Sequence, residues 1–85
     1  MKAIKHECHD WGYSVMVDTL KGFNVWFDLE VKDDEVTESD WNQYIFYVDS
    51  EDDMMRDEFQ KDIDNFIEVD CAAIDYLYKV ILKNG

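Results

Sequence analysis

From Phe23 to Val31 apolar and polar residues alternate without a break. Phe23, Val25, Phe27, Leu29 and Val31 fall on one side of an extended chain, and Asn24, Trp26, Asp28 and Glu30 on the other. That is the pattern of a strand with one buried face. Upstream, Tyr13, Val15 and Val17 share a face in the same way and supply a partner strand. The turn between them sets the register. A two-residue Lys21-Gly22 loop would place Val17 opposite Trp26 and join the wrong faces. A three-residue Leu20-Lys21-Gly22 loop, with Gly22 in the left-handed bulge position, places Val17 opposite Val25 and Val15 opposite Phe27. The second register is the expected one. A further strand over residues 3–9 would put Ile4, His6 and Cys8 on one face, with Asp10-Trp11-Gly12 as its turn.

Downstream the period changes. Thr37 and Asp40 approximate a capping box, Val36 and Trp41 a hydrophobic staple, and Trp41, Tyr44, Ile45 and Val48 follow at helical spacing. This favours a helix over 38–48 against a competing strand at Tyr44 to Val48. Ser50 suits the cap of a second helix, with Glu51, Asp52 and Asp53 in its first turn and Met55, Phe59, Ile63, Phe66 and Ile67 facing inward. Asp70 suits the cap of a third, stapled by Val69 and Ile74, with Ile74, Leu77, Tyr78 and Ile81 inward. The expected fold class is α+β. A three-stranded antiparallel sheet (3–9, 13–19, 23–31) precedes three helices (38–48, 51–67, 71–83) packed on one face, within a single domain, 1–85.

Charge changes this picture. The net charge is −13, and it is concentrated. Between Asp33 and Asp75 sixteen acidic residues meet only Arg56 and Lys61, a local charge of −14, while the other 42 residues sum to +1. Within the expected second helix Asp53/Asp57, Glu58/Asp62 and Asp64/Glu68 are like-charge pairs one turn apart. Each such pair costs about 0.2–0.5 kcal/mol. A short domain has little stability to lose in this way. Such a surface calls for a reason, either a basic partner or plain solubility.

Specific chemistry is sparse. Cys8 and Cys71 could form one bridge, but two free thiols of a cytosolic protein are the favoured reading. His6-Glu7-Cys8-His9 resembles a metal fragment, but on a strand His6 and Cys8 point one way and His9 the other. Asp49, Glu51 and Asp53 match positions 1, 3 and 5 of a calcium loop, which then fails at Met54, where Gly is needed, and at Gln60, where Glu is needed. No nucleophile elbow or phosphate-cradling glycine loop is present. The expectation is therefore no metal, no cofactor and no enzymatic activity. No apolar run approaches the ~18 residues of a membrane span. The amino-terminal stretch lacks a secretory signal's apolar core, so a cytoplasmic location is expected. Trp41 is expected in the core. Trp26, on the polar side of its strand, either covers a helix edge or is an exposed apolar anchor. Trp11 falls in a turn.

In size, charge and layout the chain resembles the small acidic anti-defence inhibitors of phages and mobile elements, the DNA-mimic anti-restriction and anti-CRISPR proteins. The resemblance rests on Asp49-Ser50-Glu51-Asp52-Asp53 through Asp57-Glu58, Asp62, Asp64 and Glu68-Val69-Asp70. It implies a stoichiometric inhibitor occupying the basic nucleic-acid-binding surface of a partner protein or nuclease complex, without binding nucleic acid or membrane itself. The residues expected to carry this are Asp53, Asp57, Glu58, Asp64 and Glu68, extended by Asp33, Asp34 and Glu35. The alternative is a structural or assembly protein that forms a homodimer through the sheet face around Trp26, with the acid serving solubility.

Overall fold

The computed structural model describes residues 1–22, 24–42 and 53–83, the backbone alone for 53–56. The fold is α+β. Its sheet has four antiparallel strands, β1 (Lys2–His9), β2 (Gly12–Asp18), β3 (Asn24–Lys32) and β4 (Glu35–Trp41), in the order β1-β2-β3-β4. Helices α1 (Asp53–Lys61) and α2 (Ile63–Tyr76) follow, and α2 runs on into a π-helical turn, Leu77–Ile81. Helix α2 packs on one face of the sheet.

The β2–β3 register is the expected one, with Val15 opposite Phe27 and Val17 opposite Val25. These four, with Leu29, Val69, Ala73 and Leu77, are buried in the centre of the core. The connecting loop takes positive φ at Leu20 as well as at Gly22. The Asp18 carboxylate holds the Leu20 conformation by accepting from its backbone N–H at 2.9 Å. Strand β1 departs from expectation at one point. A bulge between Ala3 and Lys5 leaves Ala3 opposite Val17, with Ile4 exposed, while His6 and Cys8 stay opposite Val15 and Tyr13.

The helix expected over 38–48 is not formed where it can be described: residues 35–41 are β4. Asp33 and Asp34 both adopt left-handed backbone (φ 55° and 64°), closing a two-residue turn of the primed type between Lys32 and Glu35. A second bulge, opposite Glu30 and Val31, then shifts the phase of β4. Val36 faces Val31 and Trp41 faces Phe27, so two residues five apart both point at the core. That phase shift imitated a helical staple. Thr37, expected as a cap, instead donates its hydroxyl to the Glu30 carbonyl at the bulge (3.3 Å). The competing strand at 44–48, the Ser50 cap, Phe23 and the Met55 side chain lie outside the described residues.

The helix boundaries also move. The expected 51–67 and 71–83 are divided instead at Asp62, whose extended backbone and side chain cap α2 by accepting from the Asp64 N–H (2.9 Å). Asp70, expected as a cap, lies inside α2. The reason is a buried line at four-residue spacing, Asn65, Val69, Ala73 and Leu77, which runs straight through position 70. Asn65 belongs there because it is satisfied: its amide donates to the Phe59 carbonyl and its oxygen accepts from Lys21 Nζ. Ile63, Ile67 and Tyr78, expected inward, are exposed.

Candidate docking surface

Because Val25, Phe27 and Leu29 fill the helix-covered side of β3, alternation sends Asn24, Trp26, Asp28 and Glu30 to the opposite, outer side. Strand β4 sends Glu38 and Asp40 to the same side. The register then sets Asp28 directly opposite Asp40 and Glu30 directly opposite Glu38. Directly opposed side chains in an antiparallel pair stand only about 5 Å apart, where like charges destabilise the sheet. The Glu30 carboxyl responds. It is held above its ordinary range, first by a side-chain hydrogen bond with Glu38, then by Glu38's charge, desolvation and Asp28.

A polar chain anchors this ladder. Asp28 accepts from the Ser14 hydroxyl (2.7 Å) and from the Asn42 amide (2.9 Å). Ser14 is buried and stands 2.9 Å from His9 Nε2, and His9 stacks on Trp11 with ring centres 4.6 Å apart and nearly parallel. With the Ser14 proton directed to Asp28, the Ser14 oxygen accepts from His9 Nε2–H. The order is imidazole, hydroxyl, carboxylate, whereas a hydrolytic triad sets the imidazole between the other two. Its evident role is to hold Asp28 and Trp11 in place. Trp11, Asp28, Glu30, Glu38 and Asp40 line a shallow groove of about 400 Å³, with Trp11 roughly 42 % exposed at its rim. Such a groove offers carboxylates and an aromatic ring to a cationic side chain.

The expected site residues divide into two groups. Asp33, Asp34 and Glu35 sit at the tip of the β3–β4 hairpin and extend the ladder. Asp57 and Glu58 lie exposed on α1, Asp64 and Glu68 exposed on α2, and the side chain of Asp53 lies outside the described residues. The break at Asp62 prevents a single helical row, and α2 lies on the other side of the sheet from the ladder. The sequence pattern does not single out Asp28, Glu30 or Trp11, and it assigns Glu38 and Asp40 to a helix. The signal that finds them is Val31-Lys32-Asp33-Asp34-Glu35-Val36, two turn-tolerant residues between β-branched ones. Trp26 is half-buried beneath Lys5, whose Nζ stands 5.7 Å from the ring centre. His6 bonds the Tyr76 hydroxyl through Nδ1 (3.0 Å), and Cys8 and Cys71 are both free and exposed. Among the described residues no group of three His, Cys, Asp or Glu side chains is placed to hold a metal ion, and no helix is long and apolar enough to cross a membrane.

The Glu30–Glu38 pair makes stability pH-dependent in a defined direction. The folded state holds the Glu30 proton more tightly than the unfolded chain does, so the pair's destabilisation appears as pH rises through that raised range. Glu38→Gln is therefore expected to raise the melting temperature at pH 7. That gain should vanish below about pH 3, where the glutamates are protonated in both folded and unfolded chains. Thermal melts at the two pH values check this; an equal gain at both would remove the charge pair as its cause.

No protein-family model, curated protein or solved structure matches the chain.

Proposed function

We propose that this is a non-enzymatic, cytoplasmic binding protein that occupies the basic nucleic-acid-binding surface of a partner, as an anti-restriction or anti-CRISPR inhibitor does. The observation that supports this most is the two pairs of directly opposed carboxylates, Asp28/Asp40 and Glu30/Glu38, on a sheet face that α2 leaves uncovered. With Asp33, Asp34 and Glu35, the β3–β4 hairpin carries seven carboxylates and one lysine. A chain of this size gains nothing in stability from such a ladder, whereas a lysine- or arginine-lined channel would neutralise it and release counterions. The docking surface is thus the hairpin, in place of the helical row first expected. Self-association around Trp26 has less support, because Lys5 already covers that ring.

The test uses the immobilised protein and a lysate of its native host. Capture of a nucleic-acid-binding protein at low salt is expected, with release as salt rises to a few tenths molar. Added in equal amount, the purified protein should prevent the captured protein from shifting its own DNA or RNA on a gel. The double variant Glu30→Lys/Asp40→Lys should lose both effects while still folding. Recovery of only a second copy of the chain, or capture unchanged in the double variant, would overturn the reading.

A further inference from the structure

Helix α2 and the π-helical turn after it carry a second apolar line, of which Ile74 alone packs against the core. Asn65, Val69, Ala73 and Leu77 face the sheet, yet Ile63 is 67 % exposed, Ile67 51 % and Tyr78 47 %, with Ile74 half-buried among them. At 3.6 residues per turn these four lie within an arc of roughly 60° and extend for about 22 Å. Asp64, Glu68 and Asp75 run alongside, about a quarter-turn further round. Asp75 is paired with Lys79 at 3.1 Å, both exposed. Exposed isoleucines in line on a small domain indicate a surface that is covered in use.

We propose that this face docks an amphipathic α-helix from a partner protein, its apolar residues on Ile63, Ile67, Ile74 and Tyr78 and its lysines or arginines against Asp64 and Glu68. Length and straightness of the line fit about fifteen residues of helix laid along it. The charge decides the occupant. A second copy would set a net charge of −13 against an equal one. A basic helix meets the acids and the apolar line together. This surface is separate from the β3–β4 hairpin and stands or falls independently of it.

The probe is a labelled synthetic helix of leucines and lysines, about fifteen residues long to match the line, with its leucines on one face. Two control peptides replace lysine by glutamate, or keep the composition and scramble the face. Fluorescence anisotropy at ~0.15 M salt is expected to register the lysine peptide alone, where the Debye length is short. Ile67→Asp and, separately, Glu68→Lys should each weaken it about tenfold or more. The melting temperature of Ile67→Asp should stay unchanged, and Glu30→Lys should leave binding intact. Three results would overturn the proposal: binding indifferent to both α2 variants, binding lost in Glu30→Lys instead, or a dimer in sedimentation equilibrium that Ile67→Asp dissociates.

Discussion

Gly12→Ala is expected to remove a large part of the protein's stability. At the start of β2, Gly12 has φ 152°, and a Cβ there would stand 2.1 Å from the Leu29 carbonyl oxygen and 2.9 Å from the Val31 nitrogen. Both are backbone atoms of the central strand β3, so no side-chain rotation relieves the clash. The same close approach carries the hydrogen bond from the Val31 N–H to the Trp11 carbonyl (3.0 Å) and the pairing of Gly12 with Glu30. Moving β3 away breaks these and unsettles Leu29 in the core. A cost of about 3–5 kcal/mol is expected, against a total of about 4–13 kcal/mol for a domain of this length. Gly22→Ala is the control. Its φ of 99° is also strained for alanine, but nothing lies within 4 Å of the added carbon. That variant should cost only the backbone term of about 1–2 kcal/mol. Urea denaturation of both separates clash from strain; equal midpoints would show that the close approach to β3 does not matter. Gly12 also sets where Trp11 meets Glu30, so the groove depends on it.

The contrast between hairpins explains how much of this could be read from the chain. The β2–β3 register was legible because both strands keep strict alternation, and only one loop length aligns Val17 with Val25. β4 was not, because the bulge at Thr37 breaks the period of two and leaves Val36 and Trp41 with a helix-like spacing. Two aspartates forming a left-handed turn are also a weaker turn signal than Asn-Gly. The boundary at Asp62 was missed for a different reason. Asp62 and Asp70 are equally good caps by type, and the choice between them is made by burial of Asn65 and Ala73, one polar and one small. Neither stands out in a hydrophobic pattern. The candidate site depends on the same two features. Its charge was legible as a −14 segment, but carboxylates on β3 and β4 become a ladder only through pairing across strands. Pairing is tertiary information, and the acids on α1 and α2 could not be assigned to a different side without it.

Phe27→Ala should be the most damaging substitution in the core and should also abolish any partner capture. Phe27 is fully buried at the centre of β3, with Val15 opposite on β2 and Trp41 opposite on β4. Its ring meets Trp41 edge-on at 5.4 Å and Phe66 at 5.3 Å, and Trp41 in turn contacts Phe59. One side chain therefore joins β2, β4 and α2, and reaches α1 through Trp41. Removing it costs about 3–5 kcal/mol in transfer and cavity terms, and the edge-to-face geometry adds about 0.5–1.5 kcal/mol per aromatic pair. The near-UV circular dichroism of the aromatic cluster should collapse, whereas Phe27→Leu, which conserves most of the volume but loses both aromatic pairs, should keep it at a cost of about 1–3 kcal/mol. The functional consequence follows from alternation. Phe27 and Asp28 are neighbours on one strand, the first fixing β3 to the helices and the second facing out as the anchored end of the ladder. If the ladder is the docking surface, Phe27→Leu keeps capture and Phe27→Ala loses it together with the fold. Glu30→Lys/Asp40→Lys must lose capture with the near-UV signal intact. Capture surviving in Phe27→Ala after that signal has collapsed would mean that binding needs only acidic composition, and that the cross-strand geometry contributes nothing.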